Sequence, residues 1–208
     1  MKRLVVALVL SLFGCVGNIE GGDWPPSYVP PDVPAVPECD LFTFTPSDLY
    51  PTRFPVNIVL DDHLTEHNRA LMLEAIDAWN ERMKAEVVYA TITSNLDMHD
   101  KCNYAVVTDT TDLKGNWIGL TTYGQCASDI VNVETMQTMM APGSAPPEYY
   151  TDDLVLNVTT HEIGHVLGLG HETNTASVMY PSVGPGDHRY ITTQSYCLVQ
   201  KAIQHTKL

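Results

Sequence analysis

The sequence predicts one α+β domain of five strands and three helices, preceded by a leader (1–15) and a linker (16–40). Three observations carry this. Runs with strand character stand at five places between Phe54 and Glu134, and long helix-patterned stretches lie at Thr65–Lys84 and Asp152–Gly168. The chain has 208 residues, 44% hydrophobic and 17% charged, which is ordinary globular composition with length enough for one sizeable core. The domain proper is expected over 41–208.

The leader begins with Lys2 and Arg3, followed by the apolar run Leu4–Phe13. The run is too short to span a bilayer and reads as an export signal. Leu12-Phe13-Gly14-Cys15 resembles the lipobox of bacterial lipoproteins, in which the cysteine is lipidated, although Phe13 is bulkier than usual there. The resemblance implies an extracytoplasmic protein anchored through lipid on Cys15; ordinary signal cleavage and secretion is the alternative. The chain has five cysteines, and setting Cys15 aside leaves Cys39, Cys102, Cys126 and Cys197 for two disulfides, with three connectivities open. None of them has Cys-x-x-Cys spacing. Residues 16–40 are rich in glycine and then proline, as a tether would be.

The elements follow in order. Phe54–Leu60 starts with apolar–polar alternation and reads as a strand that Asp61 and Asp62 end. Thr65 is a candidate N-cap for a helix whose apolar stripe is Leu71, Ala75, Ala78, Trp79 and Met83. Strands are expected at Val87–Ile92, Tyr104–Thr108, Asn116–Gly124 and Ser128–Glu134. A Pro/Gly loop occupies Ala141–Pro147. A second long helix starts at Asp152 or Asp153, acids that suit its dipole, and Gly168 ends it. A last helix opens at Thr192 or Thr193 and runs to about Ile203.

The net charge is −14, which leaves no electrostatic footprint for nucleic acid or an anionic membrane surface. Membrane contact would therefore run only through a lipid anchor. The acids are spread out, with no Asp-x-Asp-x-Asp-Gly loop, so calcium stays an open expectation. A monomer is expected.

The chemistry concentrates in His161-Glu162-Ile163-Gly164-His165-Val166-Leu167-Gly168-Leu169-Gly170-His171. Each helical residue turns about 100°, so His161 and His165 share a face with an offset of about 40°. Two nitrogens there can reach one metal. Glu162 lies about 100° away, beside a metal rather than on it, where a carboxylate can accept a proton from water. His171 would stand about 15 Å along an unbroken helix and on another face. The chain must therefore turn first, and Gly168 supplies the turn, with Gly170 adding freedom. Three neutral imidazoles leave a fourth tetrahedral position open, the catalytic kind of zinc site.

This pattern, with Ala176-Ser177-Val178-Met179-Tyr180-Pro181 after it, resembles the metzincin metallopeptidases, most closely the matrixin group. The resemblance covers roughly residues 50–208. It implies a twisted mixed five-stranded sheet packed on two long helices, with a C-terminal helix. It also implies one catalytic zinc on His161, His165 and His171, Glu162 as general base, and Met179 as a supporting Met-turn. By the same resemblance, the edge strand with Gly119, Leu120 and Thr121 pairs with an extended peptide, and Tyr180 and Pro181 wall the pocket for the side chain after the cut. The implied activity is hydrolysis of extracytoplasmic peptides or proteins. The alternatives are an inactive zinc-containing binding module, which the intact Glu162 argues against, and an amidase acting on cell-wall peptides. Three departures are visible. Glu172 stands where matrixins usually have serine. His99 and Asp100 alone fall short of the loop that holds a second zinc. Pro37-Glu38-Cys39-Asp40 faintly resembles the inhibitory cysteine segment of matrixin pro-regions but lacks its arginine and glycine, so Cys39 reads as a disulfide partner.

Overall fold

The structure is a computed structural model. It describes residues 37–43, 51, 54–62, 64–93, 104–108, 119–124, 130–135, 151–183 and 186–206. Cys15, most of the linker, Cys102, Cys126, His99, Asp100 and the 141–147 loop lie outside the described residues.

Among the described residues, five strands form one mixed sheet: β1 (Val56–Asp61), β2 (Val88–Thr93), β3 (Tyr104–Thr108), β4 (Gly119–Gly124) and β5 (Ile130–Thr135), in the order β2-β1-β3-β5-β4. β1 pairs in parallel with β2 and β3, and β3 with β5. β4 joins the end of the sheet antiparallel to β5, with Thr121 opposite Val133. Among the described residues, the Gly119–Gly124 part of the expected Asn116–Gly124 strand thus stands at the edge, and residues 116–118 lie outside them. β1 lies between two partners and buries Val56, Ile58 and Leu60 in the core, with Val59 buried and Asn57 and Asp61 half-buried on the other face. Asp61 belongs to this strand rather than ending it, because its pairing with Thr93 continues the ladder.

Between β1 and its parallel neighbour β2 runs α1 (Glu66–Met83), the crossover such a pairing needs. Thr65 caps it, its hydroxyl accepting from Asn68 N at 3.1 Å. Lys84 closes it in the left-handed conformation. The buried stripe is wider than the spacing alone gave: Met72 and Ile76 join Leu71, Ala75, Trp79 and Met83, while Ala78 is only half-buried. Asn80 ties the helix to β2. Its side-chain oxygen accepts from Val87 N and Val88 N, and its amide donates to Val88 O.

α2 (Asp152–Val166) packs on α1, β4 and β5. Its N-cap is Thr151, accepting from Leu154 N at 3.2 Å, so Asp152 and Asp153 fill the first turn rather than the cap. A threonine hydroxyl reaches the free amide two or three residues on, and the acids still face the positive end of the dipole. The indole Nε1 of Trp79 donates to Thr160 O at 2.9 Å, fixing the two long helices at the level of the histidines.

α3 (Thr193–His205) is capped by Thr192. Cys197 on it is bonded to Cys39 in a 3-10 turn at Pro37–Leu41. The last residues of the expected linker are therefore folded onto α3, and Lys201 Nζ donates to Phe42 O beside them. The core joins sheet and helices through Phe54, Leu60, Trp79, Ile163, Met179 and Ile203. Of the other histidines, His67 meets Asp152 at 2.8 Å on the exposed surface, a pairing worth little.

Candidate metal centre

His161 and His165 sit one turn apart on the last half of α2, both buried. The helix stops at Leu167, and Gly168 takes φ +89°, with Gly168 N bonded to His165 O and Leu169 N to Gly164 O. A side chain at that φ would be strained, so the glycine break expected from the spacing is realised. Gly170 is different: its φ is not in the positive region, and an added Cβ would meet nothing within 4 Å. One break therefore suffices to bring His171 back, and it lies more open to solvent than the other two.

The three imidazoles offer nitrogens that all lie within 4.8 Å of one another. Ring centroids are 4.6, 4.9 and 5.2 Å apart. Two backbone carbonyls settle the tautomers. His161 Nδ1 lies 2.6 Å from Val178 O, and His165 Nδ1 lies 2.7 Å from Leu169 O. A carbonyl only accepts, so each Nδ1 carries hydrogen and, in the neutral ring, each Nε2 presents a lone pair. Those two Nε2 atoms face each other at 2.9 Å.

Burial holds both rings neutral. It lowers His161 well below the ordinary imidazole value, helped by His165, and lowers His165 to about 4. His171 is lowered too, again by burial. Two opposed lone pairs in a desolvated site repel unless a cation lies between them. Ligand bonds of about 2.0–2.1 Å in a tetrahedron separate nitrogens by roughly 3.3–3.4 Å. The observed range brackets that figure, so the donor set fits zinc. The carbonyl partners on the far nitrogens are what such ligands need for orientation.

Depressed imidazole values also set a sign for acid. An unfolded imidazole titrates near 6.5, whereas His165 in the fold titrates at about 4. Between those values the unfolded chain binds more protons, so stability rises with pH across the window. Chelator-treated protein is expected to lose stability as pH falls from 6.5 toward 4. Urea titrations at several pH values measure it, and His165→Gln flattens the slope. A wild-type slope no steeper than that of His165→Gln would contradict the assignment.

Glu162 is fully buried beside His161, on the neighbouring helical position. Beneath the ligands lies Met179, also fully buried. Its turn is held by Met179 N donating to Ser177 Oγ, Tyr180 N to Ser177 O, and Glu172 N to Met179 O. Val178 N donates to Tyr190 O, which fixes the carbonyl that orients His161. Gly164 on α2 faces this turn: an added Cβ would fall 2.3 Å from Met179 Sδ and 3.1 Å from Trp79 Cζ2. Alanine would gain about 1 kcal/mol of helix propensity there, against about 1–3 kcal/mol of overpacking. Gly164→Ala is therefore expected to lower stability and weaken zinc binding. Thermal melts with and without zinc, plus a zinc titration, check it; a melt at or above wild type with unchanged affinity would contradict it.

Residues 148–201, about a quarter of the chain, match the Matrixin family model. This segment is matrixin-like. The metalloendoproteinase 1-MMP of Arabidopsis thaliana is 62% identical over 29 residues, 14% of this chain and 8% of that protein. Matrilysin of Rattus norvegicus is 54% identical over 46 residues, 20% of this chain and 17% of that protein. The matched stretches span less than a fifth of either relative. Among solved structures, metalloproteinase-II from Bacteroides fragilis superposes with a TM-score of 0.47 and 14% identity, covering 74% of this chain and 55% of that one. The matrixin-like segment contains α2, all three histidines, Met179 and most of α3.

Two features of this segment escaped the sequence reading. The orienting carbonyls of Val178 and Leu169 carry no side-chain signal. The other is the environment of Glu172, which was visible only as a departure from the family. Its carboxylate is buried at the start of α3, accepting from Thr192 Oγ1 at 2.9 and 3.1 Å and from Ser195 Oγ at 2.5 Å. It bolts the residue after His171 to α3. A carboxylate at a helix N-terminus is favourably placed, which explains why it tolerates burial.

Proposed function

We propose that this protein is a zinc-dependent endopeptidase that hydrolyses peptide bonds of proteins outside the cytoplasm. The observation that carries the reading is the convergence of His161, His165 and His171, two of them locked by backbone carbonyls with their Nε2 lone pairs facing one space. Those three residues would hold the metal. Bound there, zinc supplies Lewis acidity, making water more acidic and the scissile carbonyl more electrophilic.

The chain's own groups do the rest. Glu162 takes the proton of the attacking water and passes it to the leaving amine nitrogen. Met179 and Val178 keep the histidine rings in place from below. β4 ends the sheet among the described residues, and there Gly119, Leu120 and Thr121 can hold an extended peptide by strand addition. Tyr180 and Pro181 wall the space for the side chain that follows the cut. Export is read from residues 1–15, and lipid on Cys15 would keep the catalytic domain at a membrane. The disulfide between Cys39 and Cys197 accords with an oxidising compartment. The mass of the mature N-terminus decides between anchoring and secretion.

Digestion of a mixed peptide library tests the activity. Zinc-loaded protein is expected to cut internal bonds, to stop on chelation and to resume when zinc returns. A loaded protein that cuts nothing would favour the binding module, and cleavage restricted to cell-wall peptides the amidase.

A further inference from the structure

Beside His161 lies a slot with about 10 Å³ of free space, roughly the room of one water. One side is Asn157 and Val158 of α2, and the other is Tyr180 and Val183. Val183 packs onto Leu154 and Val158. Val178 and Arg189 line it too, and the Arg189 side chain is only 8% exposed.

Arg189 holds the segment that forms the wall. Its Nη1 donates to Thr175 O at 2.5 Å, and its Nη2 to Ser182 O at 2.8 Å and to Asp187 Oδ2 at 2.7 Å. Its guanidinium carbon lies 5.1 Å from the centre of the Tyr180 ring. Asn157 Nδ2 donates to Asp187 O at 2.9 Å, so the same corner is tied back to α2. A planar fork can join two carbonyls on either side of the Met-turn, which a point-charged ammonium cannot. Asp187 offsets its charge, so the slot is defined by width rather than by attraction for acid. Widening it would require Tyr180 or Ser182 to leave the guanidinium.

We propose that Arg189 is a specificity-determining residue that fixes this wall and restricts the side chain following the cut to glycine, alanine or serine. The proposal rests on the peptidase reading above. It makes Arg189 a positioning residue for the wall rather than a catalytic one.

The test is a peptide series differing only at the residue after the cut: Gly, Ala, Ser, Leu and Phe. Wild type is expected to prefer Ala over Leu in kcat/KM by roughly tenfold or more, and Arg189→Ala to reduce that ratio by roughly tenfold, since one or more methylenes in a fixed pocket decide the preference. Arg189→Lys, which keeps the charge and the stem, falls between them and serves if Arg189→Ala does not fold. Calorimetric binding of the same peptides to zinc-loaded Glu162→Gln protein is expected to give the same order without turnover. A wild type that favours Leu or Phe, or a ratio unchanged in both Arg189 variants, would overturn the proposal while leaving the peptidase reading intact. Binding that favours small residues in a protein that cleaves none of the series, nor any library peptide, would do the reverse.

Discussion

Glu162→Gln protein is expected to retain one zinc per chain and its thermal stability, while kcat falls by roughly 10²–10⁴-fold, the range for losing a general base. Glutamine matches glutamate in shape, so α2 and its histidines have no reason to move. Glu162 is fully buried, and exchanging a buried carboxylate for a neutral amide removes a desolvation cost instead of adding one. It is not a member of the ligand cluster, so the metal is expected to stay. What the amide cannot do is accept a proton. The loss should therefore fall on kcat more than on KM. Metal analysis, a thermal melt and steady-state kinetics on the same preparation measure it. A variant within tenfold of wild type, or one that has lost its zinc, would contradict the role given to Glu162.

The second large effect concerns stability. Cys39 and Cys197 are separated by 158 residues, and closing so long a loop restricts the unfolded chain strongly. Removing the bond is expected to cost about 2–5 kcal/mol. For a chain of this size that lowers the melting temperature by on the order of 10 °C. The pair Cys39→Ala/Cys197→Ala is the cleaner variant, because serine would bury hydroxyls without assured partners. The zinc site should feel the change indirectly: Cys197 lies on α3, whose first turn holds Glu172, the residue after His171. At 25 °C the folded variant should still bind zinc, and heating should release the metal earlier. Reducing the wild type should reproduce the shift. A melt unchanged by either treatment would remove the disulfide from the account.

The parts of this protein legible in the sequence are those encoded by local chemistry. The Thr65 cap, most of the α1 stripe and the glycine that ends α2 each depend on residues within a turn or two, and they stand where periodicity and capping place them, Met72, Ile76 and the half-buried Ala78 excepted. The metal cluster was legible for the same reason, since helix geometry alone puts His161 beside His165 and demands a break before His171. The edge position of β4 followed only from the family resemblance, because strand order is a long-range property that alternation does not carry. Three things were out of reach. The partner of Cys39 depended on how α3 returns to the N-terminal turn. The carbonyls of Val178 and Leu169 are backbone, available at every position and therefore invisible. The meaning of Glu172 lay in Thr192 and Ser195, twenty or more residues away in the chain. Arg189 could have been noticed as one of only eleven basic residues, sitting in a segment otherwise rich in proline and glycine.

The central claim is that three histidine nitrogens converge on one zinc and leave the remaining position to solvent. Zinc-edge X-ray absorption on protein loaded with one equivalent tests it most directly. The account predicts a shell of light atoms at about 2.0–2.1 Å with the scattering signature of three imidazoles, and no sulfur at about 2.3 Å. In His171→Ala the signature should fall to two rings. A zinc–sulfur shell, or a site unchanged by loss of His171, would contradict it.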